Sequence, residues 1–246
     1  MNRKIAIVTG GNSGLGFATA KNFCEQGIIT YIIGRSKEKT AQAICELGEN
    51  ARALICDLND LKAIPKLVEA IKEEAGRIDI LVNNAGINMK KDFLEVTDEE
   101  FGNILHTNVS SVFSISREVV KVMKEQGGGS IVNISSMAAQ YGIPKVIAYT
   151  ASKTAIEGMT RSMAVDLAQY GIRVNCIAPG FIETPMSAKA LNDDPERKSR
   201  VMARTPMKKL GCPEDVANAV NYLVQEGSKY TTGVILPIDG GNSIGF

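Results

Sequence analysis

The chain has one histidine, no CxxC pair, no excess of charge and no long apolar run. Each absence closes off a class of function. A single histidine, with no cluster of carboxylates around it in sequence, gives no metal-catalysis signature. The five cysteines, Cys24, Cys45, Cys56, Cys176 and Cys212, form an odd set without zinc-type spacing, which predicts reduced thiols rather than a disulfide framework. Twenty-eight basic against 27 acidic residues leave a formal charge of +1. Both signs are scattered, so no basic stripe for nucleic acid and no acidic tail exist. The first apolar run, Ile5 to Val8, turns at once into Thr9-Gly10-Gly11 and is too short for a signal peptide or membrane span. A soluble cytoplasmic protein with neither nucleic-acid nor membrane partners is expected.

What is present is an ample apolar complement, 44% of 246 residues, enough for one buried core. Short β-branched runs alternate with stretches of helical period. Strands are predicted at 5–8, 30–33, 53–56, 80–82, 130–134, 173–177 and 234–237. Runs that are apolar along their whole length suit a parallel sheet covered on both faces, and right-handed crossovers make it doubly wound. The expected fold is therefore α/β, a Rossmann-type doubly wound parallel sheet of about seven strands, forming one domain over residues 1–246. The longest irregular segment, 181–211, holds Pro185, Pro195 and Pro206. Lying after a late strand end, it is expected to hold one or two short helices and to serve as a substrate lid.

Between the first strand and first helix stand Gly10, Gly14 and Gly16. Glycines there let backbone N–H groups and a helix N-terminus face a pyrophosphate without Cβ obstruction, although a Gly-rich turn can also be purely structural. The second strand ends at Gly34-Arg35-Ser36, where a carboxylate would accept the adenosine ribose hydroxyls of NAD(H). Glycine followed by arginine does not do that, and the guanidinium can pair with a 2′-phosphate. NADP(H) is expected over NAD(H), which remains possible; a solvated arginine is the plainer alternative. Asp57-Leu58 closes the third strand and Asn83-Asn84-Ala85-Gly86 the fourth. Both are candidate cofactor contacts or ordinary strand-end turns.

Tyr149 and Lys153 lie four residues apart in a helical stretch, which puts a phenol beside an ammonium on one face. Bringing a tyrosine from about 10 to neutrality requires roughly 4 kcal/mol of preference for the phenolate, and a fixed cation is the direct source. Tyr141 and Lys145 share the spacing, but Gly142 and Pro144 intervene and the copy reads as a loop coincidence. His106 is read as a helix-boundary residue without a catalytic part.

Together these residues resemble the short-chain dehydrogenase/reductase family over essentially the whole chain. Thr9-Gly-x-x-x-Gly-x-Gly16, Asp57, Asn83-Asn-Ala-Gly86, Asn108, Ser136, Tyr149-x-x-x-Lys153 and Pro179-Gly180 follow the family's order and approximate spacing. The resemblance implies a catalytic group of Asn108, Ser136, Tyr149 and Lys153. Tyr149 would exchange a proton with the substrate oxygen, and Ser136 would hydrogen-bond that oxygen. Lys153 would bind the nicotinamide ribose and depress the Tyr149 pKa, and Asn108 would help hold a water leading to solvent. It also implies cofactor contacts from Gly10, Asn12, Ser13, Gly14, Leu15 and Gly16, then from Arg35, Ser36, Asp57 and Leu58. Asn84, Ala85, Gly86, Tyr149 and Lys153 follow, with Pro179, Gly180, Ile182 and Thr184 on the carboxamide side.

The implied substrate is a small-molecule carbonyl or alcohol. The loop Ile87-Asn-Met-Lys-Lys-Asp92 and the stretches Phe181-Ile-Glu-Thr-Pro-Met186 and Arg204-Thr-Pro-Met207 are similar to gluconate 5-dehydrogenases and related sugar-acid dehydrogenases. In that reading Lys90, Lys91 or lid cations attract a carboxylate, with solvated loop charges the plainer alternative. The chain also resembles 3-oxoacyl-carrier-protein reductases, but neither the Gln126-Gly-Gly-Gly-Ser130 region nor Ala168-Gln-Tyr-Gly171 offers an obvious docking cation. A non-catalytic NADP-binding module is a remote third reading, because the whole catalytic group is present. The family implies a homotetramer formed through the helices that follow Phe101 and include Tyr149, with contacts from the C-terminal tail.

Overall fold

A computed structural model describes residues 3–184 and 195–245. Every residue of its first strand, β1 (Ile5–Thr9), is buried, which requires cover on both faces of the sheet. Alternate side chains go to opposite layers. Ala6 and Val8 join one apolar cluster with Phe23, Val216, Val220 and Leu223; Ile5 and Ile7 join another with Ile64, Val68, Ile115 and Val119.

The helices supplying those layers alternate with the strands. After β1 come α1 (Gly14–Glu25), β2 (Ile29–Gly34), α2 (Lys37–Leu47), β3 (Ala51–Ile55), α3 (Ile64–Ala75) and β4 (Ile80–Asn83). Then follow α4 (Asp98–Leu105), a π-helical turn (His106–Ser110), α5 (Ser111–Gln126), β5 (Gly129–Ile134), α6 (Ile147–Leu167) and β6 (Ile172–Pro179). The chain closes with α7 (Pro195–Arg204), α8 (Pro213–Val224) and β7 (Ile235–Ile238). Among the described residues the strands form one seven-stranded sheet in the order β3-β2-β1-β4-β5-β6-β7, and each pairing is parallel. The fold is the expected single α/β doubly wound domain. Its order reverses between β1 and β4, so the crevice at their C-terminal ends is where such sheets take ligands.

Each predicted strand is found within two residues of its expected limits. The edge strand β3 departs from the all-apolar rule, because Arg52 and Ala53 are exposed and Ile55 is half exposed. Within the 181–211 segment, residues 185–194, including Pro185 and Met186, lie outside the described residues. The rest contains one helix, α7, and its ends are pinned to each other: Glu183 N–H donates to Gly211 O (2.8 Å) and Gly211 N–H to Phe181 O (3.0 Å).

Candidate active site

The β1–α1 turn needs left-handed backbone at two positions, Gly10 (φ 65°) and Gly14 (φ 54°), where a Cβ would be strained. A Cβ on Gly10 would also meet Asn84 Nδ2 at 3.0 Å and Ala85 Cα at 3.2 Å. The Asn84-Ala85 segment approaches that closely because Thr9 Oγ1 accepts both their backbone N–H groups, each at 3.0 Å. Thr9 is thus the bolt between the two loops. Its sequence signal was a hydroxyl at the end of an otherwise apolar strand, and no role was expected of it. Ser13 is the N-cap of α1, makes no side-chain cap bond, and no acidic residue follows in the first turn. The open N–H groups and the glycine cradle fit a pyrophosphate, the anion a helix N-terminus favours. Gly16 sits underneath: its Cβ would lie 2.4 Å from Gly10 O. It does not line the cavity and instead lets α1 pack against the turn.

A cavity of about 1200 Å³ runs from this turn along the C-terminal edge of the sheet. Its walls include Gly10, Asn12, Ser13, Gly14, Leu15, Arg35, Ser36, Asp57, Leu58, Asn84, Ala85 and Gly86, and then Ser136, Tyr149, Lys153, Pro179, Gly180, Ile182 and Thr184. Of the catalytic and cofactor-binding residues that the family resemblance implied, only Gly16 and Asn108 lie outside it. At the end near β2, Gly34 cannot be replaced by an acid without a shift, because its Cβ would meet Asn12 Nδ2 at 2.4 Å and Thr40 Oγ1 at 2.7 Å. Lys39 joins Arg35 and Ser36 in the wall, brought there because Ser36 caps α2 by accepting from Lys39 N–H. The sequence reading passed over this lysine. Its signal was the S-x-x-K cap spacing one turn from Arg35.

At the other end Ser136 leaves β5, and its Oγ accepts from Ala138 N–H at 3.1 Å. Tyr149 and Lys153 come from the first turns of α6. Lys153 is 5% exposed, and its Nζ donates to Ile134 O at 2.7 Å. Burial lowers its pKa to about 8. The Tyr149 phenol is pushed up by burial, with the Ser136 hydroxyl pulling the other way. Lys153 therefore does not depress the phenol as expected in the protein alone. Its ammonium lies 5.6 Å from the Tyr149 ring centroid, is engaged by Ile134, and is itself penalised by desolvation.

Asn108 lies behind this wall, 1% exposed, in the π-helical turn between α4 and α5. Its Oδ1 accepts from Ile87 N–H (2.8 Å) and its Nδ2 donates to Ile87 O (2.9 Å) and Ser152 Oγ (3.0 Å). The amide thus clamps the loop after Gly86 onto α6. His106 Nε2 contacts Asn59 O at 2.9 Å. Lys91 is paired with both oxygens of Glu100 at 2.8 Å. Tyr141 and Lys145 stay apart from the group: the Tyr141 hydroxyl bonds Asn242 and Lys145 pairs with Asp92.

The arrangement offers a proton donor, a hydrogen-bonding hydroxyl and a buried ammonium at one end of a cleft shaped for a dinucleotide. A family model described as enoyl-(acyl carrier protein) reductase matches residues 10–243. The chain belongs to the short-chain dehydrogenase/reductase family. As a member, it is an oxidoreductase acting on CH–OH or keto groups of small molecules, in a family that binds NAD(P)(H). It is 41% identical to a 3alpha-hydroxysteroid dehydrogenase of Mediterraneibacter gnavus, covering 98% of this chain and 97% of that one. It is 39% identical to the 3-oxoacyl-acyl-carrier-protein reductase of Escherichia coli, covering 97% and 96%. Among solved structures, an Agrobacterium tumefaciens protein assigned provisionally as a gluconate dehydrogenase superposes with a TM-score of 0.94 at 36% identity, covering 98% and 96%. Among the described residues no helix of this short-chain dehydrogenase/reductase is long and apolar enough to cross a membrane, and no cluster of three metal-ligating side chains occurs.

Proposed function

We propose that this enzyme interconverts a ketone and a secondary alcohol with NADP(H), using Tyr149 as acid and base. The observation that carries the reading is the meeting of Ser136, Tyr149 and Lys153 at one end of a cavity whose far end holds Arg35, Ser36 and Lys39. When bound, the nicotinamide supplies or accepts the hydride. In reduction, the Tyr149 phenol, kept protonated by burial, gives its proton to the carbonyl oxygen while Ser136 Oγ hydrogen-bonds the same oxygen. In oxidation the phenolate takes that proton back. Lys153, fixed by Ile134 O, offers its remaining N–H groups to the ribose side of the cleft, and Asn108 holds the adjoining loop.

NADP(H) is preferred in this reading because two cations and the N-terminus of α2 surround the place of a 2′-phosphate, while Gly34 is shielded by Asn12 where an acid would stand. The substrate is a sugar acid or polyol. Asn88 in the cavity wall and the likeness to the Agrobacterium protein support it, with no help from Lys91. A 3-oxoacyl thioester is the second reading, supported by the Escherichia coli relative and by Lys124. That lysine stacks on Tyr170 at 4.4 Å, beside the Ala168–Gly171 segment. Residues 181–211 act as the lid. The assembly is a homotetramer through α5 and α6, whose Phe113 and Val165 are exposed in one subunit; sedimentation equilibrium measures this directly.

Absorbance at 340 nm tests the reaction, with NADPH and NADH in parallel against 5-ketogluconate, an acetoacetyl thioester, a 3-ketosteroid and a small diketone. NADPH oxidation with 5-ketogluconate alone supports both the cofactor and the sugar-acid readings. Turnover of the thioester alone moves the enzyme to the acyl reductases. Retention of activity in Tyr149→Phe would overturn the acid/base assignment, since such a group contributes about 10²–10⁴-fold.

A further inference from the structure

Asn242 lies in the tail after β7, yet it is 1% exposed. Both polar atoms of its side chain are paired. Its Oδ1 accepts from the Tyr141 hydroxyl. Its Nδ2 donates to Thr205 Oγ1 at 2.8 Å and reaches Val201 O at 3.4 Å. Its backbone carbonyl accepts from Arg204 Nε at 2.9 Å. The Arg204 guanidinium in turn lies over the Tyr141 ring, 4.1 Å from its centroid, a cation–π contact. Three stretches far apart in sequence therefore meet in one cluster: the loop after β5, the C-terminal end of α7, and the tail.

The tail is shaped for that meeting. Asp239 accepts from the backbone N–H groups of Gly241 and Ser243 at 2.9 and 2.7 Å. The resulting turn passes through left-handed Gly240 (φ 60°) and Gly241 (φ 85°) and delivers Asn242 inward. Gly240 O accepts from Met207 N–H at 3.1 Å, and a Cβ on Gly245 would collide with Arg204 O. The tail thus holds the end of α7 both before and after Asn242.

What the cluster holds stands next to the reacting groups. Tyr141 follows Ser136 by five residues. Its N–H donates to Met137 O at 3.3 Å and its hydroxyl lies 3.1 Å from Met137 Sδ, while Ala138 N–H donates to Ser136 Oγ at 3.1 Å. The short turn that orients Ser136 is therefore tied to Tyr141, and Tyr141 to α7 and the tail. From Tyr141 the loop runs to α6, which begins at Ile147, without a helix or strand of its own. Neither Tyr141, Arg204 nor Asn242 lines the cavity, so any effect on a ligand passes through the groups they hold.

We propose that the Tyr141–Arg204–Asn242 cluster is a brace that fixes the Ser136 turn relative to α7 and so shapes the carbonyl-substrate side of the cleft, leaving the cofactor side alone. All three are positioning residues. Their part in turnover rests on the reading of Ser136, Tyr149 and the 181–211 segment given above.

Hydrogen–deuterium exchange of the full-length enzyme, read by mass spectrometry, compares wild type with Tyr141→Phe and needs no substrate. The phenylalanine keeps the ring under Arg204 and removes the bond to Asn242. Exchange is expected to rise together in peptides spanning 137–145 and 196–208, with the 9–18 turn unchanged. No rise in 196–208, or an equal rise at 9–18, would overturn the brace. Kinetics of the same variant, on whichever of the four carbonyl compounds named above the wild type reduces, read the positioning. For that compound kcat/KM falls about tenfold, the effect of leaving one buried acceptor unpaired, while Kd for NADPH by fluorescence titration stays within about twofold. Parallel losses in the two quantities, or no loss in kcat/KM, would remove the positioning role. Asn242→Ala frees all three stretches and should exceed Tyr141→Phe in both readouts; if it does not fold, Tyr141→Phe still decides. If the wild type reduces none of the compounds, the reaction reading fails while the exchange pattern still answers for the brace.

Discussion

Replacing Asn108 by alanine should damage stability and catalysis together, because one side chain serves both. Its amide satisfies the N–H and the C=O of Ile87 at 2.8 and 2.9 Å and reaches Ser152 Oγ at 3.0 Å, all from a site 1% exposed. Alanine leaves the two Ile87 backbone groups without a partner, and each orphaned buried group costs about 1–3 kcal/mol. Ile87 borders the cavity, so water can reach part of the vacated space, and the lower half of that range applies. The expected total is roughly 2–4 kcal/mol. For a domain of this size, each 1 kcal/mol is worth about 2–4 °C, so calorimetry should show Tm lowered by roughly 4–16 °C. The loop carrying Ile87 and Asn88 then loses its clamp to α6, and a shift of about 1 Å in a positioning element can cost 10²-fold in turnover. Asn108→Asp separates acceptance from donation: it still accepts from Ile87 N–H but sets an anionic oxygen against Ile87 O, and should be no better than alanine. A Tm within about 1 °C of wild type in both variants would refute this reasoning.

Arg35→Ala should raise KM for NADPH by about 10–100-fold while leaving KM for NADH in place, from the worth of a charge-assisted hydrogen bond at a partly exposed site; equal changes for both cofactors would remove the 2′-phosphate assignment. Because burial raises Tyr149, its acid form persists through neutrality. Reduction should therefore be flat from roughly pH 6 to 7, decline near pH 8 as Lys153 loses its charge and fall further in alkali, as pH profiles of kcat will show. Gly16→Ala places a Cβ 2.4 Å from Gly10 O. Backbone must move, at a cost of about 1–3 kcal/mol, and a fluorescence titration should show weaker NADPH binding alongside the lowered Tm.

Several parts of the site could not be seen along the chain. The π-helical turn at His106–Ser110 carries Asn108, whose partner Ile87 lies 21 residues away in the chain. Lys91 reads as a loop cation until α4 brings Glu100 against it. Lys145 adopts a left-handed φ of 67° that no propensity of lysine predicts. It is held by Lys91 N–H donating to its carbonyl at 2.8 Å and by its ion pair with Asp92. The expected depression of Tyr149 by Lys153 failed for a related reason: sequence gives spacing along a helix, whereas desolvation and the pull of Ile134 O depend on what surrounds that helix.

The alternation of strands and helices along the chain, the glycine turn, the Ser136-Tyr149-Lys153 spacing and the family were all determined by the sequence itself. Hydrophobic period, backbone freedom and i,i+4 geometry are local properties that any tertiary setting must respect. Tertiary structure alone decided which polar groups are buried together. It made Thr9 a bolt, turned Asn108 into a clamp and set Glu157 on Ser135. Those pairings join residues far apart in the chain, and their energies come from dehydration, which exists only once the sheet and its helices have closed over them.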